Sequence, residues 1–159
     1  MTSTTFDFGD GPVPAHQHPN GGGWVAETAS VSQDARVYGD AWVSGDARVY
    51  GDARVYGNAR VSGDARVYGN ARVYGDAWVS GNARVSRSPV VITGFRYVVT
   101  ITDHHIRVGC EQWPPSVWRQ RGAEIFRSDR RDDLAETLLP LLLAVADAHG
   151  CTDPKESEA

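Results

Sequence analysis

ARVYGDAWVSGDARVYGDARVYGNARVSGDARVYGNARVYGDAWVSGNARVS, residues 35–86, is a six-residue phrase repeated with small changes. Val recurs at every sixth position from Val25 to Val91, and Ala sits four places after each Val from Ala29 to Ala83. Gly follows two places after Val from Gly39 to Gly81, with Asp or Asn directly behind it. Six is not a helical period, and a Gly in each unit would cost a helix roughly 1 kcal/mol apiece relative to Ala. A short strand followed by a corner fits instead. In Ala-x-Val the Ala and Val share one side of an extended segment while the Arg or Trp between them points to the other. Ala and Val therefore face inward. The Gly-Asp or Gly-Asn pair supplies the positive φ and the local side-chain hydrogen bonds of a tight corner.

The outward positions carry a second, longer period. Taken every eighteen residues, Tyr38, Tyr56 and Tyr74 form one column, Ser44, Ser62 and Ser80 a second, and Tyr50 and Tyr68 a third, flanked by Ser32 and Ser86. The strand positions sort likewise into Arg48, Arg66 and Arg84, then Arg36, Arg54 and Arg72, then Trp42, Arg60 and Trp78. Eighteen residues is three units, so the expected coil has three sides and stacks on the next coil like on like.

The V-[YS]-G-[DN]-A-[RW] unit resembles the hexapeptide-repeat family, in which an aliphatic residue is followed four places later by a small one. That resemblance implies a left-handed parallel β-helix of triangular section and, commonly, a trimer. The entry GGGWVAETASVS (21–32) and the exit ITDHHIRVGCEQ (101–112) are similar to segments of hexapeptide-repeat proteins from bacteria and their phages. The organisation expected is an irregular arm or cap over 1–24, a solenoid of about 3.5 coils over 25–90, an α+β cap over 91–151, and a disordered polar tail over 152–159. Solenoid ends must be capped, because an open end exposes apolar side chains and unpaired strand edges. Within the cap, FRYVVTIT and HIRVGC alternate as a hairpin around Asp103 and His104. Pro114 and Pro115 then open a helix with a buried stripe of Val117, Trp118, Arg121, Ile125 and Phe126. A second helix from near Asp132 to Gly150 carries Leu134, Leu138, Leu142 and Val145 on one face, with a kink expected at Pro140.

Composition narrows the function classes. A net charge of −4 gives no electrostatic reason to expect nucleic acid. The absence of a signal peptide or long apolar run points to a cytoplasmic protein with no membrane partner. Cys110 and Cys151 are too few for a disulfide framework, and Cys110, in a strand, is expected to be buried. Many proteins with the resembling fold are acyltransferases that use a coil or loop His as general base. Here no His lies between residues 19 and 103 and no insertion interrupts the units. A non-enzymatic scaffold is therefore the leading expectation, with acyltransferase and small-ligand binder as alternatives.

The residues that carry chemistry each have a competing reading. His16, His18, His104 and His105 hold a metal only if three or four converge, so no metal and no cofactor are expected. Cys110 near His104 and His105 makes a thiol nucleophile only with a base in reach. The repeated Gly-Asp is corner chemistry rather than a calcium roll, whose motif has a nine-residue period. Arg36, Arg54 and Arg72, with His104 and His105, are the candidate groups for a small anionic or nucleotide ligand. Trp42, Arg60, Trp78, Tyr38, Tyr56 and Tyr74 are the candidate interface, since Arg60 can sit between two indoles and these residue types dominate interface hot spots. Burial of that face in a homo-oligomer, a trimer by resemblance, is the expectation.

Overall fold

The computed structural model describes residues 4–128 and 132–155, so residues 1–3 of the arm and 156–159 of the polar tail lie outside the described residues. At the N-terminus, β1 (Thr5–Asp7) and β2 (Pro12–Gln17) form an antiparallel pair, and β2 pairs antiparallel with β3 (Trp24–Ala26). From β3 onward strands follow at six-residue spacing: β4 (Ser30–Val31), β5 (Arg36–Val37), β6 (Trp42–Val43), β7 (Arg48–Val49), β8 (Arg54–Val55), β9 (Arg60–Val61), β10 (Arg66–Val67), β11 (Arg72–Val73), β12 (Trp78–Val79) and β13 (Arg84–Val85). Strands three apart in sequence pair parallel and in register, giving faces β3-β6-β9-β12, β4-β7-β10-β13 and β5-β8-β11. The molecule is a parallel β-solenoid with the three-sided, eighteen-residue coil that the columns predict.

Why these dipeptides hold a sheet is visible in two places. Every Ala from Ala35 to Ala83 and every Val from Val37 to Val85 is at most 1% exposed, so the interior is a dry stack of small and β-branched side chains. Burial on that scale is the dominant favourable term in folding. Between coils, Arg36 N–H donates to Ala53 O (2.9 Å), Tyr38 to Val55 O (3.0 Å), and Arg54 to Ala71 O (2.9 Å), and the parallel register returns amides of the later coil to the carbonyls in between. At the corners, Gly45 adopts φ +65°, and a Cβ there would lie 2.9 Å from the Gly63 backbone nitrogen of the next coil. Glycine is thus required for both its φ and its lack of a side chain.

The ladder leaves unpaired backbone groups at both ends, and each end is closed. At the start, Gly23 N–H reaches Val37 O (2.8 Å) and the Asn20 side-chain amide reaches Gln33 O (2.9 Å). At the other end, three oxygens accept the orphan amides: Ser88 Oγ from Arg72 (3.0 Å), Thr100 Oγ1 from Trp78 (3.1 Å) and Asp103 Oδ2 from Ser86 (2.7 Å). Asp103 also binds Arg87, whose guanidinium goes on to the carbonyls of His149 and Gly150 (2.8 and 3.1 Å). Arg87, held by Asp103, thus ties the exit of the solenoid to the end of the helix over residues 132–149.

The cap contains more sheet than a hairpin. Strands β14 (Val90–Ile92), β15 (Val99–Ile101), β16 (Ile106–Val108) and β17 (Glu111–Trp113) form an antiparallel sheet in sequence order. Val91, the last Val of the six-residue period, pairs with Thr100 in this sheet rather than with the solenoid. Helices α1 (Pro115–Ser128) and α2 (Asp132–His149) cover the sheet around Trp118, Phe126, Leu138 and Leu142. Arg121, expected in the buried stripe, is exposed and pairs with Glu124, and Gly122 takes the inward place. Pro140 lies on the exposed side of α2, where water can serve the carbonyl its missing N–H leaves free, and the helix continues through it. The irregular arm is corrected to an ordered hairpin. Thr152 and Asp153, assigned from composition to a disordered tail, hydrogen-bond to Asp103 and Ser116.

Val55→Asp would place a carboxylate at a fully buried position with no partner, and is expected to cost at least about 3 kcal/mol. Thermal unfolding by circular dichroism checks this, and a variant that melts with the parent would contradict the inward assignment.

Candidate functional site

The face β3-β6-β9-β12 carries Trp24, Trp42, Arg60 and Trp78 in one line. The Arg60 guanidinium lies 5.4 Å from the Trp42 ring centre and 6.0 Å from that of Trp78. Contacts of this kind contribute about 0.5–1 kcal/mol each at exposed sites. The ladder is longer at both ends than the repeat alone indicates. Phe6 stacks on Trp24 (4.6 Å, 17°) and Phe8 packs on Trp42 (5.3 Å), both delivered by the arm. At the far end the Arg107 guanidinium sits 3.7 Å from the Trp78 ring centre. Two cations thus approach the Trp78 ring, and Trp42 and Trp78 are half-buried within their own chain.

The neighbouring corner presents Tyr38, Tyr56 and Tyr74 as a continuous stack, with centroids 5.0 and 5.6 Å apart and rings within 17° of parallel. Tyr50 and Tyr68 stack at another corner (5.5 Å). Arg36, Arg54 and Arg72 form their column on the face β5-β8-β11, as expected.

A cavity of about 340 Å³ opens where the last coils meet the cap. Arg60, Arg96, Arg107, Asp76, Trp78 and Tyr97 contribute to its walls. Asp76 accepts from the Asn58 side-chain amide (3.0 Å). Arg107 is held in β16 with only 8% of its surface exposed. Its Nη1 donates to Ser80 Oγ (2.5 Å) and more weakly to Gln112 Oε1 (3.4 Å), while its buried Nε has no partner among the described residues. Burial pulls the guanidinium's pKa below its ordinary value, so the fold holds this charge at a cost. A charged residue between Ile106 and Val108 in an apolar strand was the available sequence signal for Arg107.

The other candidate groups are dispersed. His16 binds Glu27 (2.8 Å) and His18 is buried in the arm, whereas His104 and His105 lie in the β15–β16 turn at the opposite end of the solenoid. Among the described residues no group of three or more His, Cys, Asp or Glu side chains is placed to hold a metal. The cavity contains neither the Arg36, Arg54 and Arg72 column nor His104 and His105. Cys110, expected to be buried, is exposed just beyond β16, and it is Cys151 that is buried, its thiol pushed up to about 12 chiefly by desolvation. Among the described residues no helix is long and apolar enough to cross a membrane.

Comparison with known proteins agrees with the coils. A family model described as YdcK beta solenoid repeat matches residues 35–51, 47–63, 53–67 and 65–81, all within the array. No curated protein and no solved structure matches the chain.

The turn histidine gives a pH prediction. Burial, and then the neighbouring His104, hold the His105 pKa below 6.5, so the folded state favours the neutral ring; burial does the same for His149. The unfolded chain then binds more protons, and stability rises with pH. The contribution is fully present above about 6.5 and is lost as pH falls through the folded value. Melting temperature should decline from pH 7.5 to pH 5.5, less steeply in His105→Gln. An unchanged slope in that variant would contradict the assignment.

Proposed function

We propose that this chain is a non-enzymatic, cytoplasmic β-solenoid scaffold that self-associates, as a trimer by resemblance to hexapeptide-repeat proteins of bacteria and phages, and presents a Tyr/Trp/Arg face to that second copy. The observation that carries the reading is the Tyr38–Tyr56–Tyr74 stack, with Tyr74 43% exposed. Aromatic rings already locked against one another lose little further freedom on association, and Tyr, Trp and Arg are the residues that dominate interface energetics. The uniform coils, free of insertions, support a surface built for contact rather than a catalytic cleft. Because Phe8 and Arg107 already occupy faces of Trp42 and Trp78, the indoles contribute edges and the Tyr column supplies the open area.

Light scattering tests this on the intact chain at micromolar concentration. The parent should have the mass of a trimer, and Tyr38→Ser with Tyr56→Ser and Tyr74→Ser should have a lower mass with its β-sheet circular dichroism unchanged. A monomeric parent, or a triple variant of parental mass, would contradict the proposal.

A further inference from the structure

We propose that the cavity of about 340 Å³ between the last coils and the cap is a binding site for a small organic anion, one that offers a carboxylate or a phosphate to Arg107 and Arg60. The charge balance of the walls comes first. Three guanidiniums, of Arg60, Arg96 and Arg107, face one carboxylate, Asp76, which is itself engaged by Asn58. An excess of positive charge gathered in a cleft draws anions and focuses the field that guides them.

Arg107 supplies the stronger argument. It is more than nine-tenths buried, and no carboxylate lies within ion-pair distance of it among the described residues. Buried charges are ordinarily paired, because desolvation is expensive. Here the fold provides only a hydroxyl, an amide oxygen and the face of Trp78, and leaves Nε unsatisfied. Such an arrangement is a positive site lacking its counter-charge. An anion in the cavity would supply that counter-charge and strengthen as the site desolvates. The fork is also fixed in advance, clamped by Trp78 on one side and by Ser80 below, so little ordering remains to be done on binding.

The same geometry limits the ligand class. Arg60 and Arg107 both approach the Trp78 ring, at 6.0 and 3.7 Å from its centre, which leaves that indole little room to stack a nucleobase. Recognition therefore rests on the anionic head, for which the planar guanidinium fork suits carboxylate and phosphate alike. The volume is at the lower end of small-molecule sites, which fits a compact metabolite rather than a polymer.

Isothermal titration of the full chain at constant ionic strength with inorganic phosphate, ribose 5-phosphate and benzoate separates the sources. Saturable one-to-one binding of at least one probe is expected. Tighter binding of ribose 5-phosphate than of inorganic phosphate would identify an organic phosphate, and binding of benzoate alone a carboxylate. Arg60→Gln, at an exposed position, should weaken that binding at least tenfold, as should Arg107→Gln if it folds. The absence of saturable binding by every probe, or unchanged affinity in Arg60→Gln, would overturn the proposal.

Discussion

Everything in this molecule depends on the parallel hydrogen-bond ladder between its coils. Arg36 donates to Ala53 and Arg54 to Ala71, each seventeen residues ahead, and the in-register pairing returns amides of the later coil to carbonyls of the earlier one. Each end of such a ladder exposes both donors and acceptors. The arm brings donors from Gly23 and Asn20 and the Pro14 carbonyl for Glu27 N–H, and the cap brings oxygens from Ser88, Thr100 and Asp103 and the Gln112 amide for Ser80 O. A buried polar group left unsatisfied there would cost about 1–3 kcal/mol.

In-register stacking also determines the surface. Because strands in a sheet lie about 4.8 Å apart, whatever occupies one outward position meets its own column neighbour in the next coil. Tyr tolerates this by ring stacking, and Trp42, Arg60 and Trp78 by alternating indole with cation. The repetition that builds the core thus produces rigid outer ladders without further design. The cavity arises where that repetition ends, since Arg107 enters from the cap and finishes the Trp78 column with a second guanidinium.

How far the sequence discloses this follows from locality. The Val, Ala and Gly positions report the core and the corners directly, because each unit repeats the same environment and the eighteen-residue columns report the sides. Phe6 and Phe8 are equally informative side chains, but nothing in their neighbourhood shows that they fold back onto Trp24 and Trp42. Val91 keeps the period and still packs against the solenoid core, yet its backbone pairs with Thr100 in the cap sheet. The anion cavity joins residues from 58 to 109 across two folding units, so no motif announces it. Asp103 reads as a turn residue and in fact holds Ser86 and Arg87, whose guanidinium reaches the end of α2.

The central claim is that the coils pair in parallel at an eighteen-residue register, with amides such as that of Arg36 bonded to carbonyls seventeen residues ahead. Through-hydrogen-bond scalar couplings between amide nitrogen and carbonyl carbon, measured by NMR on the isotopically labelled protein, observe this directly. The account predicts correlations from Arg36 to Ala53, from Tyr38 to Val55 and from Arg54 to Ala71. Correlations from these three amides to carbonyls at any other offset would contradict it.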